Sequence, residues 1–356
     1  MIERLVGRTL NRVAGPAPRV TAGTAAFHAS LPVVDLLVGS ALFRRDFLCA
    51  STIGHVDLPR ARQGGLDLLG FSIATRFPDR SGRLSTPHFA ALGIPVRGRD
   101  DLGLVEAFVR RIEGWAATSG GRLVLARARE DLVAVGSDGA LRAFVGVQGG
   151  QVLGRDLRSA ARLRELGVRT LALAHVMDSE IAGSGTGRRA GGVTGFGWEA
   201  IAELERQGIL IDLAHASPAT IREAAPILRP PFLVSHTGFT ALAGARSAWR
   251  RYSPATRNIS DADARLVAEA GGLLGVTLAV PLVGGGLEAV VRTFEHAVEL
   301  AGPEQVALGS DFDGALPMPF DVTGLPAVTE ALLGAGFGRE IVAAIMGGNA
   351  LRVLRS

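Results

Sequence analysis

An α/β fold, and within it a closed (β/α)8 barrel of TIM type, is what this chain predicts, on three observations. Short apolar runs rich in Val, Ile and Leu recur at residues 31–38, 66–74, 143–147, 168–174, 209–214, 232–235, 272–278 and 305–310. Stretches of helical periodicity separate them, and strands alternating with helices argue for a parallel sheet. Several runs also deliver a polar residue just as they end, which in a parallel barrel collects those residues on one rim.

Taken in order, residues 1–30 carry Arg, Ala, Gly and Pro without clear periodicity and read as an N-terminal extension. The barrel is expected to occupy residues 31–356 as a single domain, since no linker or internal repeat divides it. Residues 156–166 form an amphipathic helix, with Leu157, Ala160, Ala161 and Leu163 on one face, stopped by Gly167. Residues 194–207 have the same character and end at Gly208. Ser260 and the acids after it open a helix over 262–270, closed by Gly271 and Gly272. Residues 81–101 show no confident element and read as an insertion over the barrel mouth.

The chain has 356 residues, 47% hydrophobic, which is ample for one large core. A net charge of +4 invites a nucleic-acid reading, but the basic residues are all arginine and lie scattered among Asp and Glu, so that class is set aside. Cys49 is the single cysteine, which excludes an intrachain disulfide and a cysteine-based zinc site. No run is long enough for a signal peptide or a membrane span, so the expectation is a soluble, cytoplasmic protein.

The strand ends give Asp35, Gln148, His175, His215, His236, Thr277 and Asp311 as the candidate site. A lone histidine at a strand end is more often a satisfied core residue than a ligand. His215 and His236 end neighbouring runs, with Ser217 and Pro218 opening a helix between them, and that pairing points to a metal or substrate. Asp311 leaves an apolar run into the tight turn Asp313-Gly314. Three other features read as structural. His55 and Asp57 have metal-pair spacing but precede a strand; the glycine-rich 183–188 stretch lacks the Lys-Ser/Thr ending of a phosphate loop and reads as a mobile rim loop; His296 sits on a helix surface.

The segments Gly54-His-Val-Asp-Leu-Pro-Arg60, Leu173-Ala-His175, Gly192-Val-Thr-Gly-Phe-Gly197, Ile211-Asp-Leu-Ala-His-Ala-Ser217, Val234-Ser-His236, Arg257-Asn-Ile259, Gly309-Ser-Asp-Phe-Asp-Gly314 and Gly347-Gly-Asn-Ala-Leu-Arg-Val353 resemble, in family order, the membrane (renal) dipeptidase family, the M19 metallopeptidases, and most closely its soluble bacterial branch. The resemblance implies a metal-dependent-hydrolase-like barrel with two zinc ions joined by a glutamate and a hydroxide. By position it implies that His215 and His236 hold one metal. It further implies that Asp311 holds the other and handles the proton of the water. His175 then meets the substrate near the scissile carbonyl, and Arg257 takes its free carboxylate through a bidentate fork. A homodimer is implied as well.

The same comparison shows losses. The family's Asp-x-His-x-Asp first strand reads Asp35-Leu36-Leu37-Val38-Gly39 here, so Leu37 and Gly39 stand at ligand positions, and the bridging glutamate falls at Gln148. An aliphatic chain has no lone pair, glycine has no side chain, and a neutral amide cannot offset two cations. The expectation is a dipeptidase-type metallohydrolase acting on dipeptides or related small amides with at most one zinc, on His215, His236 and Asp311. The alternative is an inactive relative that acts as a small-molecule-binding or partner protein. On sequence alone, Leu37→His, Gly39→Asp and Gln148→Glu together are expected to rebuild both half-sites.

Overall fold

The computed structural model describes residues 8–77, 99–242 and 253–356. Its strands are β1 (Val33–Val38), β2 (Leu66–Ala74), β3 (Leu123–Leu125), β4 (Leu141–Gln148), β5 (Val168–Ala172), β6 (Leu210–Asp212), β7 (Leu233–Thr237), β8 (Leu273–Val276) and β9 (Val306–Leu308). They pair in the order β1-β2-β4-β5-β6-β7-β8-β9, each pair parallel. β1 and β9 meet through a bridge between Val38 and Phe312, where the Gly39 N–H donates to the Phe312 carbonyl at 2.7 Å. The fold is therefore a (β/α)8 barrel, its eight strands falling on the eight predicted runs.

β3 has no counterpart among those runs. It pairs with residues 141–143 of β4, below the stretch 145–148 where β5 takes over the same edge. Three residues give too short a pattern to separate from loop. Strands β5, β6 and β9 are shorter than the apolar runs that announce them, because the last residues of each run bend into the rim. The expected insertion lies mostly in 78–98, outside the described residues.

The helices begin where a side chain satisfies the first free N–H groups. Thr194 caps Gly195–Arg206 by accepting from Gly197, Ser217 caps Pro218–Ala224 from Thr220, and Ser260 caps Asp261–Glu269 from Asp263. Ser217 sits five residues beyond the end of β6, so its cap also fixes how the rim segment before it runs. Asp101–Thr118 buries Leu104, Val105, Phe108, Val109 and Ile112, the spacing of one helix face.

Inside the barrel, Val34, Leu36, Leu68, Phe144, Leu210, Leu233, Leu273 and Ala307 form one buried cluster with Leu351 and Leu354 of the helix Asn349–Leu354. The C-terminal helix thus closes the end opposite the candidate site, where Gly347 lies against the Pro32 carbonyl at the start of β1. The N-terminal segment is tied down too. His28, on the helix Ala22–His28, bonds Thr329 Oγ1 at 2.7 Å and the Gly64 carbonyl at 3.0 Å.

On β8, a Cβ at Gly275 would lie 2.0 Å from the Ser235 carbonyl oxygen, and no rotamer change relieves contact with backbone. Gly275→Ala should therefore lose about 1–3 kcal/mol of stability, read from the midpoint of urea unfolding. An unchanged midpoint would show that β7 and β8 have slack.

Candidate active site

The parallel strands bring the predicted residues to one rim. Gln148 ends β4, His175 follows β5, His215 follows β6, His236 lies on β7 and Asp311 follows β9. The rings of His175 and His215 are 4.6 Å apart between centroids, those of His215 and His236 are 5.0 Å apart, and the last two bring their Nε2 atoms to 3.1 Å. His215 and Asp311 reach their places on left-handed backbone, with φ of 64° and 65°. Such conformations are uncommon outside glycine and persist where the surroundings impose them.

Those surroundings include the 183–188 stretch. Rather than a detached rim loop, it is bonded beneath the histidine turns: Ser184 Oγ donates to the His175 carbonyl at 2.6 Å, Thr186 Oγ1 to the Val176 carbonyl at 2.6 Å, and the Gly185 N–H to the His215 carbonyl at 2.9 Å. Its glycines permit close backbone approach, since a Cβ at Gly185 would lie 2.3 Å from the Thr256 carbonyl oxygen.

His236 is oriented from behind. Its Nδ1 lies 2.8 Å from Ser235 Oγ, and that hydroxyl donates to the Asp212 carboxylate, which also takes the N–H groups of Ser235 at 2.9 Å and Ala214 at 2.8 Å. A hydroxyl that donates to Asp212 can only accept from His236, so the proton sits on Nδ1 and Nε2 presents a lone pair. Ser235 and Asp212 are functional candidates that strand-end reading missed. Their signal was the Ser-His and Ile-Asp-Leu-Ala-His spacing, which shows no relay until β6 and β7 are paired.

All three imidazoles are neutral. Burial, with the Arg257 charge adding to it, pushes His175 down to about 3 and holds His215 and His236 well below the usual range. Arg257 is buried and donates Nη2–H to the His236 carbonyl at 2.9 Å, while its Nε and Nη1 have no partner among the described residues. No carboxylate pairs with it among the described residues. A buried, unpaired guanidinium is costly and calls for an anion. His215 and Arg257 share one cavity of about 240 Å³ with Thr237, Asn258 and Asp263.

Burial raises the Asp311 carboxyl to about 7, against the pull of Arg257 and with a further push from Asp35. Asp35 is itself pushed up to about 7 by burial, although Ser310 and the Leu37 N–H donate to it. Its bonds are thus spent on the β1 to β9 seam rather than on the mouth. Thr277 likewise donates to the Ser310 carbonyl at 3.2 Å and is structural. Gln148 Oε1 is buried without a partner among the described residues.

Two nitrogens held at 2.0–2.1 Å by one tetrahedral zinc stand roughly 3.3 Å apart, so the His215 and His236 pair fits two corners of one ion. Beyond that pair the fit fails. Among the described residues no three His, Cys, Asp or Glu side chains gather closely enough to hold a metal. Leu37 is buried and apolar, and a Cβ on Gly39 would fall 2.5 Å from the Asp313 carbonyl oxygen. The donors do not fit a dinuclear centre. Restoring Gly39→Asp is not the simple side-chain exchange that the sequence suggested.

His55 and Asp57 are structural, as expected. The Asp313 N–H donates to His55 Nδ1 at 2.9 Å, and Asp57 caps Leu58–Gln63 while pairing with Arg60 at 2.7 Å. His296 pairs with Asp261 at 3.0 Å.

With metal chelated, Asp311 gives a signed pH effect. Its unfolded carboxyl ionises near 3.8 and its folded one near about 7, so between these values the folded state holds an extra proton and loses stability as pH rises. The stability of Asp311→Asn relative to the parent should therefore climb from about pH 4 to 7 and level off above. Urea unfolding across pH checks this; a pH-independent difference would mean that Asp311 ionises as it does in water.

Residues 24–356 match the membrane dipeptidase family, peptidase family M19. Curated relatives include Dipeptidase 3 of Rattus norvegicus, 31% identical over 228 residues covering 60% of this chain and 45% of that protein, and of Mus musculus, 31% identical with 60% and 44% covered. The chain thus spans less than half the length of these relatives. Among solved structures, the probable dipeptidase PvdM from Pseudomonas aeruginosa superposes with a TM-score of 0.79 at 19% identity, covering 94% of this chain and 97% of that one. A metallo peptidase from Rhodobacter sphaeroides, liganded with a phosphinate mimic of the dipeptide L-Ala-D-Ala, superposes at 0.76 and 23%, covering 91% and 99%. These structures share the fold, and the match across residues 24–356 shows that the chain belongs to the membrane dipeptidase family, M19.

Proposed function

We propose that the chain acts on a dipeptide or related small amide at the barrel mouth, as a dipeptidase-type hydrolase with at most one zinc ion, held by His215 and His236. The observation that carries this reading is the juxtaposition of two Nε2 atoms 3.1 Å apart with a buried guanidinium that lacks an anion among the described residues. Arg257 receives the substrate carboxylate, and its unpartnered Nε and Nη1 are the donors for it. His175, neutral and against His215, donates to the scissile carbonyl in this reading. Asp311, a carboxyl titrating near neutrality, is the group that moves a proton. The dipeptide mimic bound by the Rhodobacter relative supports the substrate class. The working unit is residues 31–356 as one barrel domain with 1–30 as an extension, placed in the cytoplasm and assembled as a homodimer. No helix among the described residues is long and apolar enough to cross a membrane.

A second reading, binding without hydrolysis, is favoured by one set of observations: Leu37, Gly39 and Gln148 at ligand positions and no three-donor cluster among the described residues. The two part on turnover. After chelation, zinc titration and dialysis, elemental analysis should give no more than one zinc per chain, lost in His215→Ala; two would contradict the ligand assignment. Dipeptide hydrolysis should be measurable, with KM raised roughly tenfold or more in Arg257→Ala. Calorimetric binding of dipeptides without turnover would establish the second reading instead.

A further inference from the structure

We infer that Gly39 is a packing requirement of the barrel seam, and that the first-strand half of a metal centre is excluded by backbone rather than by the loss of two side chains. This rests on the family reading that a ligand belongs at that position. Gly39 has φ −83° and ψ 5°, which any residue can adopt, so its need for glycine is steric and not conformational. A Cβ there would lie 2.5 Å from the Asp313 carbonyl oxygen, 2.9 Å from its carbon and 3.3 Å from Gly314 N, all backbone atoms.

Neither side of the contact is free to retreat. The Gly39 N–H donates to the Phe312 carbonyl at 2.7 Å, and one turn below, Asp35 accepts from both the backbone and the hydroxyl of Ser310. On the other side the Asp313 carboxylate accepts from Arg45, Ser40 and the His55 N–H, and its own N–H donates to His55 Nδ1. Asp313 is fully buried, and against the cost of burial the Arg45 charge and the bonds from Ser40 and the His55 N–H hold its carboxyl below the usual range. The turn that would have to yield is thus anchored through an ion cluster and a strand seam. Position 37 is different: Leu37 already carries a buried side chain, so a donor there replaces one side chain with another. Side-chain restoration can therefore return a donor at 37 or 148, but at 39 only by opening the seam.

The test compares Gly39→Ala with Gly114→Ala, a helical glycine with nothing within 4 Å of its Cβ, and adds the triple variant Leu37→His, Gly39→Asp, Gln148→Glu. Thermal unfolding in chelator should show Gly39→Ala melting about 3 °C or more below the parent, with Gly114→Ala at or above it. The triple variant should fail to fold or should bind no more than one zinc per chain. A Gly39→Ala protein as stable as the parent, or a folded triple variant with two zinc ions, overturns the inference. Because the Gly39→Ala comparison is made without metal or substrate, it stands apart from the hydrolase reading, which the parent's own zinc content and turnover decide.

Discussion

The contact between the end of β1 and the 311–314 turn is the constraint on which the site depends. A parallel barrel has no free edge only if its first and last strands are joined, and here the join uses few bonds: Val38 to Phe312, Gly39 to Phe312, and the Asp35 carboxyl to Ser310. The bond set recurs across the barrel, where Asp212 of β6 takes the N–H and hydroxyl of Ser235 on β7. At the second place the serine also accepts from His236, and the seam bond becomes an orienting bond for a site residue. At the first, the serine lies next to Asp311, but β1 offers Leu37 and Gly39 where a histidine and a carboxylate would answer it.

The result is a lopsided rim. On the β5 to β7 side, three neutral imidazoles and an unpaired guanidinium crowd together, buried, with unpartnered polar atoms on His175, His215 and Arg257. Such atoms cost free energy in a folded protein unless a ligand meets them. On the β9 to β1 side stand two carboxyls raised by burial, one of them bonded to Ser310. The positive half is where the proposed reading puts an anionic small molecule. The other half has been taken into the packing of the barrel.

Much of this was legible in the sequence because it depends on local pattern. The strand runs, the serine and threonine caps, and the delivery of His175, His215 and His236 at strand ends follow from periodicity and parallel pairing alone. The losses at Leu37, Gly39 and Gln148 were also readable, since they need only alignment of a motif. What could not be read were relations between residues far apart in the chain. Ser235 to Asp212, Ser184 to the His175 carbonyl, and Gly39 against Asp313 are fixed by backbone position, and a composition or spacing rule carries no ångströms. Asp311 illustrates the limit: its place beyond β9 was predicted, but its separation from the histidines is a matter of geometry that no spacing rule gives.

Zinc soaked into crystals of the parent chain, located by anomalous scattering at the metal edge, tests the central claim most directly. The account predicts one peak at most, between the Nε2 atoms of His215 and His236, and none beside Leu37 and Gly39. A second peak bounded by Asp311 and Gln148 would contradict it, since the seam would then leave room for the ion that this backbone excludes.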